Sequence, residues 1–193
     1  MVTHSIVTTR RPASGGTHRG GVSSWGKLET DLRLLLRNTD LHVLTTLFDY
    51  YAFPANAPGM GSRPDGGVRR QVEHVEAALA TAIGDSRFVP HLMLHELETW
   101  VFAAAEQLGE LMGSESLTRQ LQADALAAGG VELVNDSPAT APSKRLTKYC
   151  DRHSKTTDGP LAISELGIAE LRAQCPHLDG WLAELDRRAR QLG

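Results

Sequence analysis

Apolar residues at spacings of three and four predict two amphipathic helices in the first half of the chain. The first series begins after Ser24 and ends near Asn38. The second runs over 68–83, and Gly84 follows it as expected for a C-terminal cap. The apolar positions are Trp25, Leu28, Leu32, Leu35 and Leu36 in the first helix and Val68, Val72, Val75, Leu79 and Ile83 in the second.

Two continuous apolar runs predict strands that are buried on both faces. The run 42–48 is rich in β-branched residues, and the run 88–94 has Pro90 near its start, where a missing N–H group is tolerated. Residues 5–9 have the composition of a further short strand. Because these strands alternate with helices, the pattern favours a parallel sheet.

The second half of the chain is predicted to be mostly helical. The expected helices cover about 98–108, 117–128, a stretch beginning near Lys144, 168–174 and 178–192. We therefore predict an α/β fold, with an α/β core over residues 1–97 and a helical part over 98–193 packed on the same domain.

Two segments lack a periodic pattern. Residues 1–27 are rich in glycine and basic residues and contain no acidic residue, so they are either a solvated, flexible segment or a phosphate-contacting loop. Their basic residues are Arg10, Arg11, Arg19 and Lys27. Residues 52–67 form a loop rich in proline and glycine, and its length indicates a functional or mobile segment.

Composition and charge narrow the class of protein. With 193 residues, 41% of them hydrophobic, the chain can bury a core. A net charge of −3 gives no global signature of a nucleic-acid or membrane binder, so any phosphate-binding surface must be local. Two cysteines are too few for a disulfide framework, and no apolar run approaches the roughly 20 residues that span a bilayer. We expect a soluble, cytoplasmic protein.

Acidic residues follow both predicted strands. Asp49 ends the first strand, and Glu96 and Glu98 follow the second. Ligands of open parallel sheets bind at the carboxyl ends of the strands, and clustered carboxylates are the ligands of Mg²⁺ or Mn²⁺. These three residues are therefore the candidate metal ligands and catalytic residues.

Each candidate also has a structural interpretation. Asp49 could begin a turn, and Glu96 and Glu98 could be first-turn acids that interact with a helix dipole. His95, a candidate for substrate binding, could be a hydrogen-bonded structural histidine. A zinc-protease motif is disfavoured because position 99 is Thr.

A second cluster of polar residues lies around a predicted helix start. Asn135 and Asp136 precede a loop that leads to Ser143, Lys144 and Arg145. Free backbone N–H groups at a helix start, together with two basic side chains, suit a phosphate group. An ordinary capped helix after an Asx-turn loop explains the same residues equally well.

Four blocks of sequence resemble the bacterial domain-of-unknown-function family 4276. The resemblance covers about residues 20–185. The blocks are TTLFDYY at 45–51 with FP at 53–54 and PG at 58–59; Pro90 with LHELE at 94–98; ND at 135–136 through APSKRL at 141–146; and GP at 159–160 with CPH at 175–177 and WL at 181–182.

This resemblance implies a fold and an activity. The family is similar to the Toprim group, in which a small Rossmann-like parallel sheet flanked by helices holds acidic residues around Mg²⁺ for phosphodiester chemistry. It implies that Asp49 corresponds to the first acid of the Toprim Asp-x-Asp element, with Tyr51 at the position of the second. It also implies functional weight on Glu96, Glu98, Lys144 and Arg145.

The resemblance further implies a truncated N-terminus and two alternative functions. Family members usually begin with a strand and a Glu-Gly-x-Thr-Glu segment, and this chain is expected to start after them. The first function is a metal-dependent nuclease of a bacterial defence or DNA-repair system, acting on nucleic acid. A phosphohydrolase of small molecules would use the same site and differ only in its substrate. The alternative is a non-catalytic regulatory or adaptor module that partners an ATPase.

Overall fold

A computed structural model describes residues 24–135 and 141–191. The predicted strand at 5–9, the basic residues Arg10, Arg11 and Arg19, and Asp136 lie outside these ranges. The described chain is a mixed α/β protein in which helices predominate. Within these ranges it divides into two units: residues 24–48 with 52–92 form the first, and residues 49–51 with 93–135 and 141–191 form the second.

Both helices predicted for the first unit are present. Helix α1 spans Trp25–Leu35 and α2 spans Val68–Ile83. Gly84 ends α2 with a left-handed φ of 69°, as a glycine C-cap does. The predicted apolar face of α2 is buried at Val72, Val75, Leu79 and Ile83. In α1 the prediction was wrong for Leu35, which is 38% exposed.

The two predicted strands are each broken in two. The first run contains β1, Leu44–Thr45, and β2, Phe48–Asp49. The second contains β3, Phe88–Val89, and β4, Leu92–Met93. Strand β1 pairs with β3 in parallel, with Leu44 opposite Phe88, and β2 pairs with β4. The parallel pairing of β1 and β3 is therefore confirmed, but the continuous strands are not.

Proline and threonine account for the break in the ladder. Pro90 has no N–H group to donate, and it lies between β3 and β4 rather than near a tolerated strand start. The Thr46 hydroxyl takes part in two contacts with the backbone of His91, at 3.0 Å to the N–H and 3.2 Å to the carbonyl. A side chain therefore substitutes for strand-to-strand backbone bonds at this point. The prediction of burial on both faces also fails at Leu47, which is 46% exposed.

The long loop over 52–67 has a buried inner side. Phe53, Ala57 and Met60 are each less than a tenth exposed. Gly59 has a φ of 82°, and a Cβ there would lie 2.9 Å from Cβ of Ala78 on α2. Only glycine meets both requirements, so this residue lets the loop lie against α2.

The second unit is helical, as predicted, apart from its first residues. Its helices are α3, Thr99–Ala103; α4, Ala105–Met112; α5, Glu115–Ala128; α6, Pro142–Tyr149; α7, Asp158–Leu166; α8, Ile168–Gln174; and α9, Pro176–Arg190. Short 3₁₀ turns lie at Tyr50–Ala52 and Val131–Leu133. The expected helix over 98–108 is divided at Ala104, and α7 was not predicted. The core includes Phe102, Leu108, Leu117, Leu121 and Leu146.

Candidate functional site

Asp49 lies against the turn that contains Glu96 and Glu98. The backbone N–H of Leu97 donates a hydrogen bond to its carboxylate. Burial, then the charge of Glu98, then that of Glu96, raise the pKa of Asp49 from 3.8 to about 6, although the Leu97 bond and Lys155 lower it. Carboxylates that are 47 and 49 residues apart in sequence thus interact through space, and their mutual repulsion is not fully neutralised.

The Glu96 carboxylate binds the start of α6. The side chain is buried, and its Oε2 accepts the backbone N–H of Ser143 at 3.0 Å. Pro142 precedes Ser143 at the first helical position and has no N–H of its own. The sequence left two interpretations of this helix start open, a phosphate site and an ordinary capped helix. In the structure the anion that binds the Ser143 N–H is Glu96.

Glu98 forms an ion pair with a residue that the sequence did not indicate. Lys155 Nζ lies 2.8 Å from Glu98 Oε1, and the lysine side chain is 50% exposed. Lys155 belongs to the loop between α6 and α7. Gly159, in the first turn of α7, allows this loop to approach α3, because a Cβ there would lie 3.1 Å from Cγ2 of Val101. Gly159 therefore has a packing role.

The three carboxylates are close but do not converge on one point. Within 24–135 and 141–191, the ligand oxygens of Asp49, Glu96 and Glu98 do not all lie within 4.8 Å of one another. A dication bound between them would therefore take water as part of its coordination shell.

A buried histidine lies on the same loop as Lys155. The His153 side chain is 2% exposed, and neither ring nitrogen has a hydrogen-bond partner among the described residues. Burial lowers its pKa, while the charges of Asp158 and Glu98 oppose that shift. His153 and Lys155 carry no periodic or motif signal in the sequence. A glycine followed by proline at 159–160 was the only local sign that the loop is closely packed.

Two further predicted residues contact each other. Asn135 Nδ2 lies 3.1 Å from Nδ1 of His95, so the end of the 131–133 turn is linked to the segment before Glu96. Tyr51, placed by the resemblance at the second acid of the Toprim element, is 57% exposed. Asp136 lies outside the described residues.

The two basic residues of α6 differ in their surroundings. Lys144 is exposed, whereas Arg145 Nη1 forms an ion pair with Asp124 Oδ1 at 2.8 Å. The same aspartate accepts the hydroxyl of Tyr149 at 2.7 Å. Arg145 would have to leave this network to contact a substrate phosphate, and Lys144 would not.

The comparisons with known proteins give one result. A family model described as a domain of unknown function, DUF4276, matches residues 1–186. The chain belongs to this family. Comparison with curated proteins and with solved structures gives no match. In the described part of this DUF4276 protein, no helix has both the length and the apolar character needed to cross a membrane.

Proposed function

We propose that this DUF4276 protein is a Toprim-like, divalent-metal-dependent enzyme that processes phosphodiesters. Asp49, Glu96 and Glu98 would hold Mg²⁺ or Mn²⁺ and serve as the catalytic residues. The observation that carries the proposal is the burial of Asp49 beside two other carboxylates, which raises its pKa. A bound dication would neutralise this repulsion, and perturbed carboxylates of this kind concentrate at functional sites.

The donor set fits a hard cation. All three candidate ligands offer carboxylate oxygen, which Mg²⁺ and Mn²⁺ prefer. A metal held there would supply charge stabilisation at a phosphoryl oxygen and a more acidic bound water. The exposed side chain of Lys144 is available for a substrate phosphate. The His95–Asn135 pair offers polar groups to a neighbouring part of the substrate, for which we propose nucleic acid.

Lys155 has a defined place in this proposal. Its ammonium group neutralises Glu98 in the absence of metal. Because its side chain is half exposed, it can leave Glu98 at little cost when a dication binds. The released ammonium would then lie next to the cation site, where a phosphate group would bind.

Metal-dependent thermal stability tests the proposal. A ligand that binds only the native state stabilises it by about 2.7 kcal/mol at 100 times its dissociation constant. We expect Mg²⁺ or Mn²⁺ to raise the melting temperature of the wild type. The double variant Asp49→Asn/Glu98→Gln should lose that increase, and Glu115→Gln, at a residue whose side chain is 90% exposed, should keep it. An equal increase in all three proteins would refute the site.

A second candidate is a non-catalytic regulatory or adaptor module that binds an ATPase. Two ion pairs favour it, because they occupy residues that the enzyme would need. Lys155 neutralises the candidate metal ligand Glu98, and Asp124 neutralises the candidate phosphate contact Arg145. This candidate requires that dications leave the melting temperature unchanged and that no nucleic acid is cleaved with Mg²⁺ or Mn²⁺. Capture of an ATPase encoded beside the gene, by the tagged protein, would then support it.

A further inference from the structure

His153 has an unexplained pair of buried polar atoms. Its side chain is 2% exposed, and both ring nitrogens lack a hydrogen-bond partner within the described ranges. Nδ1 lies 3.9 Å from Oδ2 of Asp158, which is beyond hydrogen-bonding distance. That carboxylate oxygen already accepts the backbone N–H of Ser154 at 2.7 Å. Asp158 therefore stabilises the loop through Ser154 and does not accept a hydrogen bond from the His153 imidazole.

Leaving these atoms unpaired is energetically costly. A buried donor or acceptor without a partner costs about 1–3 kcal/mol, and such a group in a folded protein indicates a water, an ion or a functional role. Protonation would not remove the cost, because it would leave two N–H donors without acceptors. The neutral imidazole is the form that coordinates metals.

The position of His153 connects it with the acidic residues. Lys155, two residues after His153, places its Nζ 2.8 Å from Oε1 of Glu98. The ring also lies beside the first turn of α7, where a Cβ on Gly159 would be 3.7 Å from its Cε1. His153 and Lys155 thus belong to one loop that is packed against α3 and carries a cation to Glu98. This loop therefore brings a nitrogen donor into the neighbourhood of the acidic cluster.

We infer that His153 is a nitrogen ligand of the cation that Glu98 binds, and that the site therefore prefers Mn²⁺ to Mg²⁺. The inference rests on the proposed function, because it adds a ligand to that same site. Mg²⁺ takes oxygen ligands almost exclusively, whereas transition-metal dications accept imidazole together with carboxylate. A metal site made of oxygen ligands alone would leave the buried His153 without a role. In a site that combines nitrogen and oxygen ligands, the neutral imidazole coordinates the metal.

Pulsed electron paramagnetic resonance with Mn²⁺ tests the inference directly. The probe is MnCl₂ added to the full chain, and the signal is the modulation from a coordinated ¹⁴N nucleus. We expect that modulation in the wild type and in His42→Asn, a change at an exposed histidine, and its loss in His153→Asn. By equilibrium titration, His153→Asn should weaken Mn²⁺ binding about tenfold or more, and Mg²⁺ binding about twofold at most.

The remaining outcomes separate the inference from the proposed function. Mn²⁺ that binds without ¹⁴N modulation, but is lost in Asp49→Asn/Glu98→Gln, would overturn the role of His153 and leave the acidic site standing. Water molecules would then be the hydrogen-bond partners of the imidazole nitrogens. Mn²⁺ binding that the double variant leaves unchanged would overturn both. Because the wild-type spectrum needs no substitution, the test remains decisive even if His153→Asn does not fold.

Discussion

Glu96 and Glu132 are equally buried, and each binds the start of a distant helix. Both residues are 8% exposed. Glu132 accepts the backbone N–H groups of His177 and Leu178 at 2.8 and 3.0 Å, one on each carboxylate oxygen, at the start of α9. Glu96 accepts the N–H of Ser143 at 3.0 Å at the start of α6. In both places a carboxylate supplies the negative charge that a helix N-terminus favours.

The surroundings of the two glutamates differ. Beside Glu132 the perturbed group is Cys175, whose pKa is raised to about 12 by burial and then by Glu132. Beside Glu96 the perturbed group is a second carboxyl, Asp49. Glu132 is therefore explained fully as a helix cap. At Glu96 a helix cap accounts for the contact with Ser143 but not for the presence of Asp49 and Glu98 nearby. The clustered negative charge, rather than the burial of a glutamate, therefore distinguishes the candidate site.

The largest expected effect is a loss of stability when Glu132, which caps α9, is replaced. Glu132→Ala removes two charge-assisted hydrogen bonds and should lower the free energy of unfolding by about 3 kcal/mol without changing metal binding. Glu96→Ala should cost less than half as much, because it also relieves repulsion with Asp49. Urea unfolding of both variants measures the difference. Equal losses would remove the distinction between the two glutamates.

The second prediction concerns pH. The native pKa of Asp49 is raised, so the stabilisation from its protonated form is complete below pH 3.8 and lost as the pH rises through about 6. Without metal, Asp49→Asn should therefore stabilise the protein by about 1–2 kcal/mol at pH 7.5, after allowance for partial solvent screening. The gain should vanish below pH 4. A gain that is constant with pH would contradict the repulsion.

A smaller effect is expected from Lys155, which is the cation on Glu98. Lys155→Met should tighten Mg²⁺ or Mn²⁺ binding by about threefold to tenfold, because the metal no longer competes with the ammonium group. Stability should change by less than about 1 kcal/mol, since the pair is partly exposed. Lys148→Met, on α6, is the matched control. Weaker metal binding in Lys155→Met would show that the lysine assists the cation.

The smallest effect is expected from Lys144. If this exposed side chain contacts a phosphate, Lys144→Ala should weaken binding of single-stranded DNA and reduce the slope of log affinity against log salt by about one. Stability should be unchanged. Fluorescence anisotropy at several salt concentrations measures the slope. An unaltered slope would exclude Lys144 from the nucleic-acid surface.

The sequence allowed the long periodic helices to be predicted, together with the proximity of some residues of the candidate site. The predicted bounds of α8 match the observed ones. The proximity of Asp49 to Glu96 and Glu98 was expected because ligand-binding residues of parallel sheets lie at the carboxyl ends of the strands. The breaks at Thr46 and Pro90 were missed. The Thr46 hydroxyl binds the backbone of His91, and Pro90, which has no N–H group to donate, interrupts the ladder instead of lying near a strand start. Helix α7 was missed because Gly159 and Pro160 in its first turn are usual signals of a loop.

His153 and Lys155 could not be predicted, since only the packing of their loop against α3 brings them to the acidic residues. Arg145 shows a different limit of prediction from sequence. Its position at a helix start predicted a phosphate contact, but in the structure it forms an ion pair with Asp124 of the preceding helix, α5.

Anomalous diffraction from crystals grown with Mn²⁺ tests the central claim most directly. We expect a peak within coordination distance of an Asp49 or Glu98 oxygen, with Lys155 moved away from Glu98. Mn²⁺ bound only elsewhere, with the Glu98–Lys155 pair intact, would contradict the claim that these acids form a metal site.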